Sequence, residues 1–342
     1  MSEKFATDVA VIGAGPTGLF AVHQCGMLKM KCHVIDALDS VGGQCSTLYP
    51  EKPIFDIPSH PMITGGDLID RLKEQAVPFE PVYHLSQQVT ALTEGAEDGT
   101  WVVTTSAGVE ITAKAVILAA GGGAFGPNRP PLDGLEAFEG TSVFYSVPSR
   151  DQFAGKRVVI AGGGDSAVDW AICLADVADS IAIVHRRPKF RCAPDSTEKL
   201  NALAAAGKVD VVTPYQLASL SGQNGQLETV TVKTMKGEEK VLDADILLPF
   251  FGLSMDPGPV AHWGLEMSAN YVAVDPVHCE TSKKGVYAIG DIATYPGKLK
   301  LILCGFSEAA QAAHGAYAHI HPGEALHFEF STTKGVPAAC AE

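Results

Sequence analysis

Gly13-Ala14-Gly15-Pro16-Thr17-Gly18 follows the apolar run Val9 to Ile12, and Gly162-Gly163-Gly164-Asp165-Ser166-Ala167 follows the apolar run Val158 to Ala161. Each stretch reads as a strand, a glycine turn and a helix, the order in which the free N–H groups of a helix start meet a pyrophosphate. What stands about twenty residues further on differs between the two. After the first loop the next apolar run, Val34-Ile35, ends on Asp36; after the second, Ile181 to Val184 ends on His185-Arg186-Arg187, with Arg191 close behind. A carboxylate there accepts hydrogen bonds from a ribose diol and repels a phosphate, whereas guanidinium groups do the opposite. The first loop therefore suits the adenosine of FAD or NAD, its place at the N-terminus favouring FAD, and the second suits the 2'-phosphate of NADPH. Glycine turns also serve plain helix-strand packing, but two in the same context with opposite charge logic argue for nucleotides.

The rest of the chain is consistent with a two-domain soluble enzyme. At 342 residues it exceeds what one core usually supports, and strand-like and helix-like runs alternate in an α/β manner. Charges or Gly/Pro clusters interrupt every apolar stretch before membrane-spanning length, and Met1-Ser2-Glu3-Lys4-Phe5 leads straight into a strand, so no membrane is expected and the cytoplasm is the expected location. A net charge of -14 argues against nucleic acid as a partner. The eight cysteines, Cys25, Cys32, Cys45, Cys173, Cys192, Cys279, Cys304 and Cys340, include no C-x-x-C pair, so neither a zinc site nor any other metal is expected.

The motifs set the organisation. After Asp36 come Val41-Gly42-Gly43-Gln44-Cys45 and a Pro-rich stretch through Pro61; strands near Val89 to Leu92 and Trp101 to Thr105 suggest a meander that ends in Ala115 to Ala120 and Gly121 to Gly123. Gly126 to Pro131 reads as a linker. The second nucleotide unit runs to about Gly252, with hairpin strands near Leu227 to Lys233 and Lys240 to Leu242; Gly285 to Asp291 forms another buried strand, and a helix is expected from about Gly305 to His319, followed by an extended tail. The expected fold is α/β with two Rossmann-like dinucleotide-binding domains, each a three-layer ββα arrangement. Residues 1–120 and 254–342 make the FAD-binding domain, and 121–253 the NADPH-binding domain inserted into it.

Taken with Tyr49-Pro50, Ala120 to Phe125, Val168-Asp169-Trp170, Phe190-Arg191, Pro296-Gly297-Lys298, Lys300-Leu301-Ile302 and Phe330-Ser331-Thr332-Thr333, these motifs resemble the ferredoxin-NADP reductases of the thioredoxin-reductase-like type, within the two-dinucleotide-domain flavoproteins. The resemblance runs along nearly the whole chain. It implies that Gly13, Gly15, Pro16, Thr17 and Gly18 receive the FAD pyrophosphate, that Asp36 holds the adenosine ribose, and that Gln44, Val89, Phe125, Asp291 and Thr332 complete the FAD site, Asp291 toward a ribityl hydroxyl. It implies that Tyr49 stacks on one face of the flavin and Phe330, from the C-terminal tail, on the other. On the NADP side it implies Gly162, Gly164, Asp165, Ser166, His185, Arg186, Arg187 and Arg191. Members of this group are homodimers whose tail crosses to the partner, so a homodimer is expected, with the tail from about Phe328 to Thr333 as a lid.

Rival reactions lack their reactive groups here. Five residues beyond Cys45 stands Pro50, where the glutathione-reductase branch has its second cysteine; Tyr145-Ser146-Val147-Pro148 holds no sulfur where the thioredoxin-reductase branch has its dithiol; and Phe144 stands where flavin monooxygenases have a histidine. What remains is a flavin that takes hydride from NADPH and passes electrons on without a protein relay, so no conventional catalytic residue is expected. The expected acceptor is ferredoxin or flavodoxin, both acidic, docking on a local basic surface that would draw on Lys298, Lys300, Lys283, Lys284 and Lys334. The alternatives are an NADPH-dependent flavin oxidoreductase acting on a small quinone or ferric acceptor, and a non-catalytic FAD/NADP redox sensor.

Overall fold

The computed structural model describes residues 3–324 and Leu326. The chain forms two compact units, one comprising Met1–Thr47, Pro53–Phe125 and the chain from Met255 onward, the other Leu48–Lys52 and Gly126–Ser254.

The first unit is built on a seven-stranded sheet. Strand Lys4–Ile12 lies at its centre, parallel to Cys32–Ile35 on one side and to Glu110–Leu118 on the other, and Val82–His84 extends the sheet parallel beyond Cys32–Ile35. Val9, Ala10 and Val11 are all fully buried, which is why this strand reads as a continuous apolar run rather than an alternation. Successive side chains go to opposite faces. Val9 and Val11 join a core with Ala21, Val22 and Cys25 of helix Pro16–Met27 and Ala309, Ala312 and Ala313 of helix Ile302–Ile320. Ala10 and Ile12 join a second core with Leu92, Trp101, Val103 and Ile111 of the meander. Strand Glu110–Leu118 shows the change of neighbour in its burial. Its first half alternates where it pairs antiparallel with Trp101–Thr105, and its last four residues are all buried where it pairs parallel with Val286–Ala288.

The second unit repeats the scheme. A four-stranded parallel sheet runs in the order Val209–Val212, Ser180–Val184, Arg157–Ala161, Ile246–Pro249. Val158 and Ile160 face helices Asp165–Leu174 and Pro194–Ala205 through a core that holds Trp170 and Leu200, while Val159 and Ala161 face the antiparallel meander Gln216–Gln223, Gln226–Lys233 and Glu239–Asp243 through Leu227, Val230 and Val232. Each unit thus layers helices, a parallel sheet and antiparallel strands around two apolar interiors, the arrangement expected from the paired fingerprints.

Three local features differ from the sequence reading. The helix expected from Gly305 begins a turn earlier, at Ile302, and runs to Ile320. The stretch read as a linker from Gly126 starts inside the strand Ala124–Pro127. Leu48–Lys52 groups with the second unit although its flanking residues belong to the first, and specific bonds explain why. Leu48 O accepts from the Val147 N–H at 3.3 Å, the Glu51 carboxylate accepts from the Arg150 N–H at 2.7 Å, and Lys52 pairs with Asp169 at 2.8 Å.

Candidate cofactor sites

The glycines of the first loop serve two purposes. A methyl group at Gly13, whose φ is +110°, would lie 2.3 Å from the Ala119 carbonyl oxygen, and one at Gly18 would lie 1.9 Å from the Gly13 oxygen. Both positions are required by close packing of strand and helix. Gly15 is different: it is the N-cap of helix Pro16–Met27, its backbone is extended, and a methyl group there would meet nothing within 4 Å. Pro16 occupies the first turn, no side chain caps the helix and no acidic residue lies in that turn, so the helix start is left open to an anion.

Asp36 closes the loop from below. Its Oδ2 accepts the Ala14 N–H at 2.6 Å and its Oδ1 the Leu38 N–H at 2.9 Å. Burial pushes its carboxyl above the ordinary range, against the opposing pull of those N–H groups. Each oxygen keeps a further lone pair for a ribose hydroxyl. The Gly42 N–H donates to Ala14 O at 2.8 Å and Gly43 sits over Gly15, which brings Gln44, first residue of the short helix Gln44–Thr47, beside the glycine loop. Val89 starts strand Val89–Glu94, and its side chain lies in the apolar core with Leu92 and Trp101, which leaves its backbone to face a cofactor.

Asp291 lies in the single turn Gly290–Ile292, half-buried, and among the described residues its carboxylate has no hydrogen-bond or ionic partner. Thr17 explains the glycines around it. The Thr17 hydroxyl would lie 3.2 Å from a methyl group at Gly290 and 2.6 Å from one at Gly305, so the first turn of one helix nests against the Asp291 turn and the first turn of the other. The residue that sequence reasoning missed is Glu308. It is buried in helix Ile302–Ile320 and accepts from the Gly290 N–H at 2.7 Å, from the Tyr295 hydroxyl at 2.7 Å and from Lys298. A glutamate in an alanine-rich helix has no signal in sequence to separate it from one facing solvent.

Lys298 is corrected by the same contact. Expected on a docking surface, its side chain is 5 % exposed and paired with Glu308. Lys300 is exposed but lies over the Tyr271 ring at 3.2 Å, and Lys283 over the Trp101 ring at 5.3 Å. Tyr49 is half-buried against the core of the second unit, with the Lys52 ammonium 5.9 Å from its ring. Phe330, Thr332 and Lys334 lie outside the described residues, as does the Phe125 side chain.

The second loop has the same division of labour. A methyl group at Gly162 would lie 2.6 Å from Phe250 O and one at Gly163 2.0 Å from the His185 ring, whereas Gly164, the N-cap of helix Asp165–Leu174, has nothing within 4 Å. Asp165 uses its carboxylate on the Ala193 N–H at 3.0 Å, and Ser166 is exposed in the first turn. The Arg191 N–H donates to Gly163 O at 2.7 Å, which fixes Arg191 beside the loop. Arg186, Arg187 and Arg191 are exposed, and among the described residues none has an acidic partner. His185, expected at the NADP site, sits beneath the glycine loop. It is buried under Gly163 and stacked on Phe190 at 5.4 Å, and burial together with the three guanidinium groups holds its pKa below the ordinary histidine value.

Among the described residues no disulfide joins any of the seven cysteines, and no cluster of His, Cys, Asp or Glu could hold a metal. Burial pushes the Cys279 thiol up to about 12, and Cys32 is raised as well, by its hydrogen bond with Cys25 and by burial. Among the same residues no helix is long and apolar enough to cross a membrane.

Two open helix starts, one beside the Asp36 carboxylate and one beside three arginines with no acidic partner among the described residues, suit two dinucleotides, and the chain belongs to the pyridine nucleotide-disulphide oxidoreductase family, whose sequence profile matches residues 7–319. Within that family it groups with the ferredoxin–NADP reductases. It is 62 % identical to the ferredoxin–NADP reductase of Rhodospirillum rubrum over 98 % of each chain, and 62 % identical to that of Paramagnetospirillum magneticum over 97 % of this chain and 98 % of the other. Among solved structures it is similar to the thioredoxin reductase of Lactococcus lactis, with a TM-score of 0.79 at 24 % identity over 92 % of this chain and 99 % of that one. The thioredoxin reductase of T. acidophilum gives 0.80 at 22 %, over 92 % and 98 %. At that identity the likeness speaks for the fold.

Proposed function

We propose that this chain is a ferredoxin–NADP reductase that holds FAD at the first glycine loop and NADPH at the second. The observation that carries this is the pairing of each open helix start with its own ribose reader: the Asp36 carboxylate at one, and the unpartnered Arg186, Arg187 and Arg191 at the other. The residues fit these groups. Gly15 and Gly164 leave open space where any larger side chain would intrude on a pyrophosphate, and Asp36 and Asp291 offer acceptors to ribose and ribityl hydroxyls. FAD, when bound, supplies the change from two-electron to one-electron chemistry.

The chain's own part is to bind and orient. Gly13 and Gly18 bring the strand and helix close enough to aim the Pro16–Met27 N–H groups at one point, Gln44 stands beside them, and Asp291 holds the far end of the cofactor. Arg186, Arg187 and Arg191 select the phosphorylated nucleotide, and Asp165 orders the Arg191–Ala193 loop through Ala193. No side-chain acid, base or nucleophile is needed; the rate comes from alignment of the two nucleotides. Tyr49 and Phe330 act as aromatic covers of the flavin. The protein works as a cytoplasmic homodimer, and flavodoxin serves as a second acceptor beside ferredoxin.

The test is an acceptor panel with NADPH as donor. Rapid turnover with ferredoxin coupled to cytochrome c is expected. Turnover confined to small quinones or ferric chelates would favour the flavin oxidoreductase, and tight FAD and NADP binding without turnover would favour a sensor.

A further inference from the structure

Glu308 sits where three parts of the first unit meet, and nothing in cofactor binding as described gives it a role. Its side chain is 2 % exposed on a helix face otherwise lined by Ala309, Ala312, Ala313 and Ala316, where an aliphatic side chain would pack without any desolvation cost. A buried carboxylate is retained only with good partners. It has three: the Gly290 N–H, the Tyr295 hydroxyl and the Lys298 ammonium, whose charge it balances. Gly290 stands in the left-handed region, with φ +71°, and the residue that follows is Asp291. Thr17, in the first turn of the helix that faces the pyrophosphate, packs on Gly290 and on Gly305 one turn before Glu308.

We propose that Glu308 is the positioning residue of the FAD site. It holds the Gly290–Ile292 turn in the conformation that presents Asp291, and the Thr17 contacts keep that turn in register with the pyrophosphate-binding helix start. The two ends of the cradle are therefore preset before the cofactor arrives. Glu308 acts through Gly290 and Asp291 and does not touch the cofactor. Lys298 and Tyr295 saturate its remaining oxygen, which makes Lys298 a structural cation of this site. The inference rests on the FAD assignment above.

The test compares two double variants with the wild type after removal and titration of FAD. K298M/E308Q removes both charges and keeps an acceptor for the Gly290 N–H; K298M/E308L removes the acceptor as well. The first should bind FAD within about threefold of wild type, and the second at least tenfold more weakly, with a changed visible circular dichroism of the bound flavin. Equal FAD affinity in the two variants would overturn the proposal. Should the leucine variant not fold, amide exchange of the FAD-free wild type decides. A Gly290 N–H protected as well as the helix Ile302–Ile320 supports a preset turn, and exchange at loop rates until FAD is added contradicts it. Wild-type protein that takes up no FAD would overturn the cofactor assignment itself, and the proposal with it.

Discussion

Arg186 and Arg191 are exposed and have no acidic partner among the described residues, which leaves both guanidinium groups free for the proposed 2'-phosphate contact. Replacing either by a neutral residue should lower the preference for NADPH over NADH by about tenfold or more, roughly 1.5 kcal/mol and upward, with NADH turnover little changed. Steady-state kinetics with both nucleotides measures this, and retained NADPH preference in both variants would reject the second site. His185 was legible in sequence only by position; that its ring lies against Gly163 and stacks on Phe190 is set by the fold. Lys298 and Glu308 show the same limit. Their separation along the chain says nothing about burial, and only the fold brings the Glu308 carboxylate to the Gly290 N–H. The glycine loops and arginine cluster were readable because their chemistry is local, a few adjacent residues that make one turn.

At the scale of elements, the two open glycines separate folding from binding. Gly15→Ala and Gly164→Ala place a methyl group in empty space at extended or ordinary negative φ, so the protein should fold with an unchanged melting temperature while FAD affinity falls in the first and NADPH affinity in the second. Gly18→Ala, with its methyl group 1.9 Å from the Gly13 oxygen, should instead fail to accumulate as folded protein. Calorimetry beside FAD titration distinguishes them. A lower melting temperature in Gly15→Ala would show that this glycine, too, is for packing. Strands Cys32–Ile35 and Val82–His84 add a pH dependence. His33 Nδ1 and His84 Nε2 lie 3.0 Å apart, both rings are buried against Phe5, and burial holds both below the ordinary histidine pKa. A histidine depressed in the fold stays neutral while the unfolded chain takes up a proton, so its stabilising contribution is complete above the unfolded value of about 6.5 and is lost as pH falls through that value toward the folded one. The melting temperature should therefore drop between pH 7.5 and 5.5, and His84→Gln should flatten that drop; an unchanged slope would remove the pair as its cause. The Asp36 N–H donates to His84 O at 3.0 Å, so acid should loosen FAD as well. Long apolar runs made these strands readable from sequence, whereas the attachment of Leu48–Lys52 to the second unit was not, because it depends on single contacts from Val147, Arg150 and Asp169.

Taken as a whole, this molecule comes from a family named for disulphide chemistry and moves electrons without sulfur. Cys45, the thiol next to Gln44, is buried, and among the described residues no disulfide joins any two cysteines. Cys45→Ser should leave NADPH-dependent ferredoxin reduction within about twofold of wild type, as expected when the cofactor carries the chemistry; loss of turnover with FAD retained would reveal a thiol relay. The two Rossmann-like units were visible in two short motifs, because one strand-turn-helix unit encodes a fold as well as a ligand class. The most direct measurement is an anaerobic titration of the purified protein with NADPH, followed by addition of ferredoxin. About one equivalent of NADPH should bleach the flavin completely, no further equivalent should be consumed, and added ferredoxin should then restore the flavin spectrum as its own band bleaches. Uptake of a second equivalent before the flavin is fully reduced, or a reduced flavin that ferredoxin fails to reoxidise, would contradict this electron path.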